Sequence, residues 1–174
     1  PARPPSRRER VNGVRTAPDL DGRVVLVTGA SRGIGAATAR ALGAAGARLV
    51  LAARDERALH ALADELTGAG GSAIAVPTDV RYPESVCRLV EQAVGADGRL
   101  DAAVNCASDG HRPTPLAELP TDGFDRAVAV GLRGVFLAMK YEIPAMLRSG
   151  GGAIVNMSST AAQRPVGGLA GYVA

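Results

Sequence analysis

Val24–Gly35, VVLVTGASRGIG, is the stretch on which the fold of this sequence turns. Val24–Val27 has the length and β-branching of a strand buried on both faces, and it runs directly into three closely spaced glycines, Gly29, Gly33 and Gly35. Beyond them the alanine-rich run AATARALGAAG reads as a helix that Gly35 opens. A strand, a glycine turn and a helix in that order make a cradle for phosphate. Gly29 permits the tight turn, Gly33 lets backbone come close to a pyrophosphate, Gly35 lets helix and strand pack, and the first-turn N–H groups point at the anion. The spacing is not GxGxxG, and the glycines alone would also suit a turn that binds nothing.

Outward from this stretch, strand and helix patterns alternate. Arg48–Ala52 predicts a second strand, and Asp55 is placed to cap a helix carrying Leu59, Leu62 and Leu66 on one face. Ser72–Val76 predicts a third strand. Pro83 suits the first turn of a helix with Val86, Leu89, Val90 and Ala93 facing inward, and Leu100–Asn105 predicts a fourth strand. From Asp122 a long helix is expected with Val128, Leu132, Val135, Phe136 and Met139 on its inner face and Pro144 as a kink or near-end. Ala153–Met157 predicts a fifth strand. Strands separated by helices imply right-handed crossovers and a Rossmann-type doubly wound parallel sheet over residues 21–174, one domain of class α/β. The second mononucleotide half has only two of its strands, so the sheet is expected to be incomplete at the carboxy end.

Composition narrows the function. Of 174 residues 47% are hydrophobic but only 3% aromatic, so the core must come from Ala, Val, Leu and Ile, which suits a helix-covered parallel sheet. No apolar run approaches the ~18 residues of a membrane span and none lies near the amino end, which predicts a cytoplasmic protein with no membrane partner. Cys87 and Cys106 sit in apolar patterns and read as two buried free thiols, and no His/Cys cluster predicts a metal site. The net charge of +3 lies in residues 1–20, where five arginines face only Glu9 and Asp19. That Pro- and Arg-rich segment reads as a disordered basic leader, with contact to RNA or an acidic surface as the alternative. The remainder is formally neutral, which argues against nucleic acid as a partner.

With Thr28, the glycine turn reads TGASRGIG, which resembles the TGxxxGxG signature of the short-chain dehydrogenase/reductase family in its classical subfamily. The resemblance runs from about Gly22 to Ala174. It implies that Thr28, Gly29, Ser31, Arg32, Gly33, Ile34 and Gly35 belong to a cofactor site. Where members that prefer NAD usually have an acidic residue, this sequence has Ala53 followed by Arg54. With Arg32 in the turn, this points to NADP rather than NAD, because a guanidinium holds a 2′-phosphate bidentately and a carboxylate would repel it. An arginine after a strand is also an ordinary solvated residue. Asp79-Val80 matches the family's pair at the adenine ring, though an Asp at a strand end is equally a turn residue. Asn105-Cys106-Ala107-Ser108 stands where the family has NNAG. Asn105 and Ala107 match there, and the resemblance implies that Asn105 steadies the central strands.

Ser159 follows the fifth strand and Tyr172 lies thirteen positions later, which looks like the family's catalytic pair. A phenol that gives a proton to a developing alkoxide, with a serine hydroxyl bonded to the same oxygen, is a workable acid and stabiliser. Two departures stand beside it. The family's YxxxK lysine, which lowers a tyrosine pKa from its ordinary value of about 10, would fall beyond Ala174, so residues 1–174 alone are expected not to turn over a ketone. The family's helical Asn is replaced by Gly131. The resemblance implies, for the complete form, NADP-dependent hydride transfer to or from a carbonyl or secondary alcohol, in a homodimer or homotetramer. The alternative is a nucleotide-binding protein without turnover.

Overall fold

The computed structural model describes residues 20–173. The expected basic leader therefore lies, but for Leu20, outside the described residues. Five strands, β1 (Val24–Thr28), β2 (Arg48–Ala53), β3 (Ser72–Pro77), β4 (Ala102–Asn105) and β5 (Ala153–Asn156), form one parallel sheet in the order β3-β2-β1-β4-β5. Helices α1 (Gly33–Ala44), α2 (Glu56–Gly68), α3 (Pro83–Val94), α4 (Thr121–Val128), α5 (Val135–Arg148) and α6 (Ala170–Val173) connect and follow them, and a π-turn at Ala129–Gly134 joins α4 to α5. The order reverses between β1 and β4, the topological switch point of a doubly wound sheet.

Alternation along β1 explains the two layers. Val25 and Val27 face α1 and α2 together with Leu49, Leu51, Leu59 and Leu62, whereas Val24 and Leu26 face the other layer with Val50, Leu89, Val90 and Met146. Leu26, Leu51, Leu59, Leu89 and Leu100 are fully buried, each contributing about 2 kcal/mol by leaving water. Asp55 caps α2 by accepting from the Ala58 N–H at 3.0 Å, and the predicted inner faces of α2 and α3 are the buried ones. At the amino ends of the strands, Asp101 registers β4 against β1. It accepts from the Val24 N–H and from Arg23, each at 2.9 Å, and from Arg99, which together hold its carboxyl at about 2.

Several expectations need correction. Helix α1 begins at Gly33 rather than Gly35, β4 begins at Ala102 rather than Leu100, and β2 and β3 each run one residue further. Pro77 is tolerated because β3 is an edge strand. Pro144, expected as a kink or near-end, does stand near the end of α5, which continues to Arg148. The ring lies on the exposed side, where water can satisfy the carbonyl that has no N–H to accept from. The inner face of the long helical segment is also different. Leu132 and Phe136 are exposed, and Gly123, Ala127, Val130, Gly134, Leu137, Ala138 and Ala145 are buried. Small residues let this segment lie close: a Cβ at Gly134 would stand 2.8 Å from Val80 Cγ2. Cys87 and Cys106 are free, as expected, but half-buried.

Candidate functional site

The loops after β1, β2, β3 and β4 open at one end of the sheet and line a cavity of about 550 Å³, within the usual range for a bound small molecule. Its floor is the glycine turn. Gly29 has φ +67°, and a Cβ there would stand 2.8 Å from Ala107 N, so the turn and the loop after β4 touch backbone to backbone. Gly33 has φ +58°, and a Cβ there would meet nothing within 4 Å, leaving open space above the first turn of α1. A Cβ at Gly35 would collide with the Gly29 carbonyl oxygen. No side chain caps α1 and no acidic residue sits in its first turn. Its leading N–H groups and the positive end of its dipole are thus available to an anion.

Of the residues singled out from sequence, Gly29, Ser31, Arg32, Gly33, Ile34, Gly35, Arg54, Asp79, Val80 and Ala107 all line this cavity. Arg54 stands 3.4 Å from Asp109 in an ion pair. Asp79 is held by the Arg81 side chain and N–H, and that guanidinium keeps its carboxyl below the usual range. Tyr172 lines the same cavity and also an adjoining one of about 220 Å³, which Ser159 and Gly131 share. Ser159 Oγ accepts from the Ala161 N–H at 3.1 Å, which leaves its own proton free to be donated.

Thr28 and Asn105 do not line the cavity; both are buried behind it. Thr28 Oγ1 accepts from the N–H groups of Cys106 and Ala107 at 3.2 and 3.3 Å and donates to Asn105 Oδ1 at 3.5 Å. Asn105 Nδ2 donates to Asn156 Oδ1 at 3.0 Å, joining the carboxyl ends of β4 and β5. It also donates to Glu142 Oε2 at 3.1 Å.

Sequence reasoning passes over two residues here. Glu142 is fully buried on α5, and burial raises its carboxyl to about 7, against the opposing pull of the Asn105 hydrogen bond. A signal for it exists in the sequence: a lone carboxylate in helical register with Ala138 and Ala145. His111 Nε2 accepts from the Gly171 N–H at 3.1 Å while Nδ1 lies 2.8 Å from the Arg112 carbonyl oxygen. This pairing fixes the Nδ1–H tautomer and ties the residue before Tyr172 to the loop after β4. Nothing local in the sequence marks it. Among the described residues no cluster could hold a metal ion, and no helix is long and apolar enough to cross a membrane.

Strand order and the reversal between β1 and β4 define a Rossmann-type doubly wound α/β domain. The comparisons with known proteins are more specific. The family model described as short chain dehydrogenase matches residues 23–174. The A-factor type γ-butyrolactone 1′-reductase (1S-forming) of Streptomyces virginiae is 45% identical over 142 residues, covering 81% of this chain and 55% of the relative. Cyclohexanol dehydrogenase of an Acinetobacter species is 38% identical, covering 89% and 62%. A metagenomic short-chain oxidoreductase solved in complex with NADP superposes with a TM-score of 0.84 at 40% identity, covering 89% of this chain and 70% of that one. The chain belongs to the short-chain dehydrogenase/reductase family. It spans between about half and two thirds of the length of these curated relatives.

Proposed function

We propose that this protein is an NADP-dependent oxidoreductase acting on a carbonyl or secondary alcohol. The observation that carries this reading is one continuous lining. Arg32 in the glycine turn and Arg54 after β2 both line the larger cavity, and Tyr172 lies in that cavity and in the adjoining one with Ser159. The space, the uncapped α1 and the two guanidiniums fit a dinucleotide carrying an extra phosphate. Gly29, Gly33 and the first turn of α1 would hold the pyrophosphate, Arg32 and Arg54 the 2′-phosphate, and Val80 and Ala107 the flanking apolar surface. When bound, the nicotinamide gives or takes the hydride.

The chain's own part is positioning and the proton. Tyr172 Oη donates its proton to the substrate oxygen during reduction and recovers it during oxidation, while the Ser159 hydroxyl donates a hydrogen bond to that same oxygen. The names of two relatives, a reductase and a cyclohexanol dehydrogenase, accord with this substrate class. The reading also pairs two or more copies through the exposed stripe of Leu132, Phe136 and Leu147. The second reading, nucleotide binding without turnover, is favoured by Gly131, which leaves the smaller cavity without the amide that the family places there.

The test is comparative titration with NADPH and NADH. The unmodified protein should prefer NADPH, and Arg54→Asp should reverse the preference. Because Arg54 is half-exposed and already paired with Asp109, the contact contributes only about 1–2 kcal/mol, roughly tenfold in discrimination. Equal affinities in both proteins would refute the NADP assignment.

A further inference from the structure

Glu142 is a fully buried acid that the proposed chemistry does not use. Among the described residues, its Oε1 is the buried side-chain oxygen or nitrogen that has no hydrogen-bond partner. Its Oε2 has one donor, Asn105 Nδ2, at 3.1 Å. From Asn105 the bonds lead outward to the site. The same amide nitrogen holds Asn156 on β5, its Oδ1 accepts from Thr28, and Thr28 Oγ1 holds the Cys106 and Ala107 N–H groups. Ala107 is the residue whose backbone rests against Gly29. A line of hydrogen bonds thus runs from the middle of α5 to the contact between the glycine turn and the loop after β4.

Among the described residues, no charge faces Glu142 to make its ionised form comfortable. On α5 its neighbours are Lys140, exposed and over the Tyr141 ring, and Tyr141 itself. On α3, which packs against α5, Glu84, Arg88 and Glu91 are exposed and the Cys87 thiol bonds to Glu91. In the π-turn Arg133 is exposed and bonded to the Arg81 carbonyl. Strands β4 and β5 offer only Asn105 and Asn156. A carboxylate here has one neutral donor and one bare oxygen; the Asn105 bond favours it but does not offset burial, so the ionised side chain swings toward water, and that movement withdraws the acceptor that orients Asn105.

We propose that Glu142 is a positioning residue for the nucleotide cleft: in its neutral form it fixes Asn105, and through Thr28 the Cys106–Ala107 backbone, in the geometry that receives the cofactor. Ionisation of Glu142 slackens that backbone and weakens binding. The proposal rests on the cleft being an NADP(H) site. Burial raises the carboxyl to about 7, so the neutral fraction falls about tenfold between roughly pH 6 and 8, and affinity falls with it.

The experiment is NADPH titration by fluorescence across that range, using the protein expressed from its natural reading frame. The unmodified protein should lose about tenfold in affinity, and Glu142→Gln, which keeps a neutral acceptor for Asn105, should hold the low-pH affinity throughout. Any titration of the cofactor's own phosphate appears in both proteins and cancels. Glu142→Leu should bind weakly at every pH. Identical pH profiles for the unmodified protein and Glu142→Gln overturn the proposal while leaving the cleft assignment intact, and failure of the unmodified protein to bind at any pH overturns both. Infrared difference spectra of the unmodified protein supply a readout independent of the variants. A protonated-carboxyl band should vanish as the pH rises through neutrality, with a midpoint that moves upward when NADPH is bound. Absence of that band at about pH 6 overturns the proposal.

Discussion

Replacing Gly33 and Gly35 separately by alanine should divide binding from folding. Gly33 has φ +58° and open space where a methyl would stand, so Gly33→Ala costs only the left-handed backbone strain, about 1 kcal/mol. For a domain of this size that lowers the melting temperature by roughly 2–4 °C. The methyl nevertheless occupies the lining of the cavity where the pyrophosphate is expected. At a nucleotide concentration near a hundred times Kd, the unmodified protein gains about 2.7 kcal/mol from NADPH, and Gly33→Ala should gain almost none of it. Gly35→Ala is the opposite case. Its Cβ meets the Gly29 carbonyl oxygen and lies 2.8 Å from the carbonyl carbon, both backbone atoms. Turn and helix must separate, at a cost of about 3 kcal/mol before any ligand is added. Thermal melts with and without NADPH, with calorimetric titration of each variant, read both effects. A Gly33→Ala protein that keeps the full NADPH-induced shift would show that the turn cradles no phosphate. One that melts as low as Gly35→Ala would refute the steric argument itself.

Asp101→Asn should lose about 2 kcal/mol near neutral pH, from the depression of its carboxyl to about 2 by Arg99, Arg23 and the Val24 N–H. Because the folded-state pKa is the lower one, this stability is present above about pH 4 and is lost as pH falls through 2. Urea unfolding should therefore show the gap between variant and parent closing in acid, and a constant gap would contradict the linkage. Gly131→Asn should fit, since a Cβ at Gly131 meets nothing within 4 Å. It returns an amide to the cavity shared by Ser159 and Tyr172. In steady-state assays of the natural gene product, kcat should rise several-fold with little change in KM, and an unchanged kcat would show that this position plays no part in proton delivery.

Where local chemistry decides the structure, the sequence is legible. Glycine spacing after a valine strand locates the turn, Asp55 announces the start of α2, and the spacing Val86, Leu89, Val90, Ala93 names the inner face of α3. The helical segment after Thr121 misleads because large apolar residues stand on more than one of its faces, and reading by bulk selects Leu132 and Phe136, which are exposed. What decides the buried face there is closeness of approach, which favours Ala127, Gly134 and Ala138. The candidate site divides in the same way. Residues on the turn are named by their own geometry, whereas the placement of Thr28 and Asn105 behind the cavity goes with partners far off in the chain, Cys106 for Thr28 and Glu142, 37 residues away, for Asn105. His111 and Gly171, 60 residues apart, are beyond any local pattern.

The pairing of β1 with β4 also sets when the cleft can exist. Thr28 Oγ1 and the Cys106 N–H that it accepts from are 78 residues apart, whereas β1 and β2 are joined by one helix. Closing the longer loop costs about 1 kcal/mol more chain entropy than closing the shorter. The β1-α1-β2-α2-β3 half can gather from near neighbours, while β4 must be recruited across that half and α3. Until it arrives, the glycine turn has no opposite wall and Asp101 has no Val24 to register against. On the proposed reading of the cleft, a nascent chain should become competent to hold nucleotide late, on the same event that completes the centre of the sheet. Nucleotide protection followed through refolding would track the docking of one strand rather than the growth of helix.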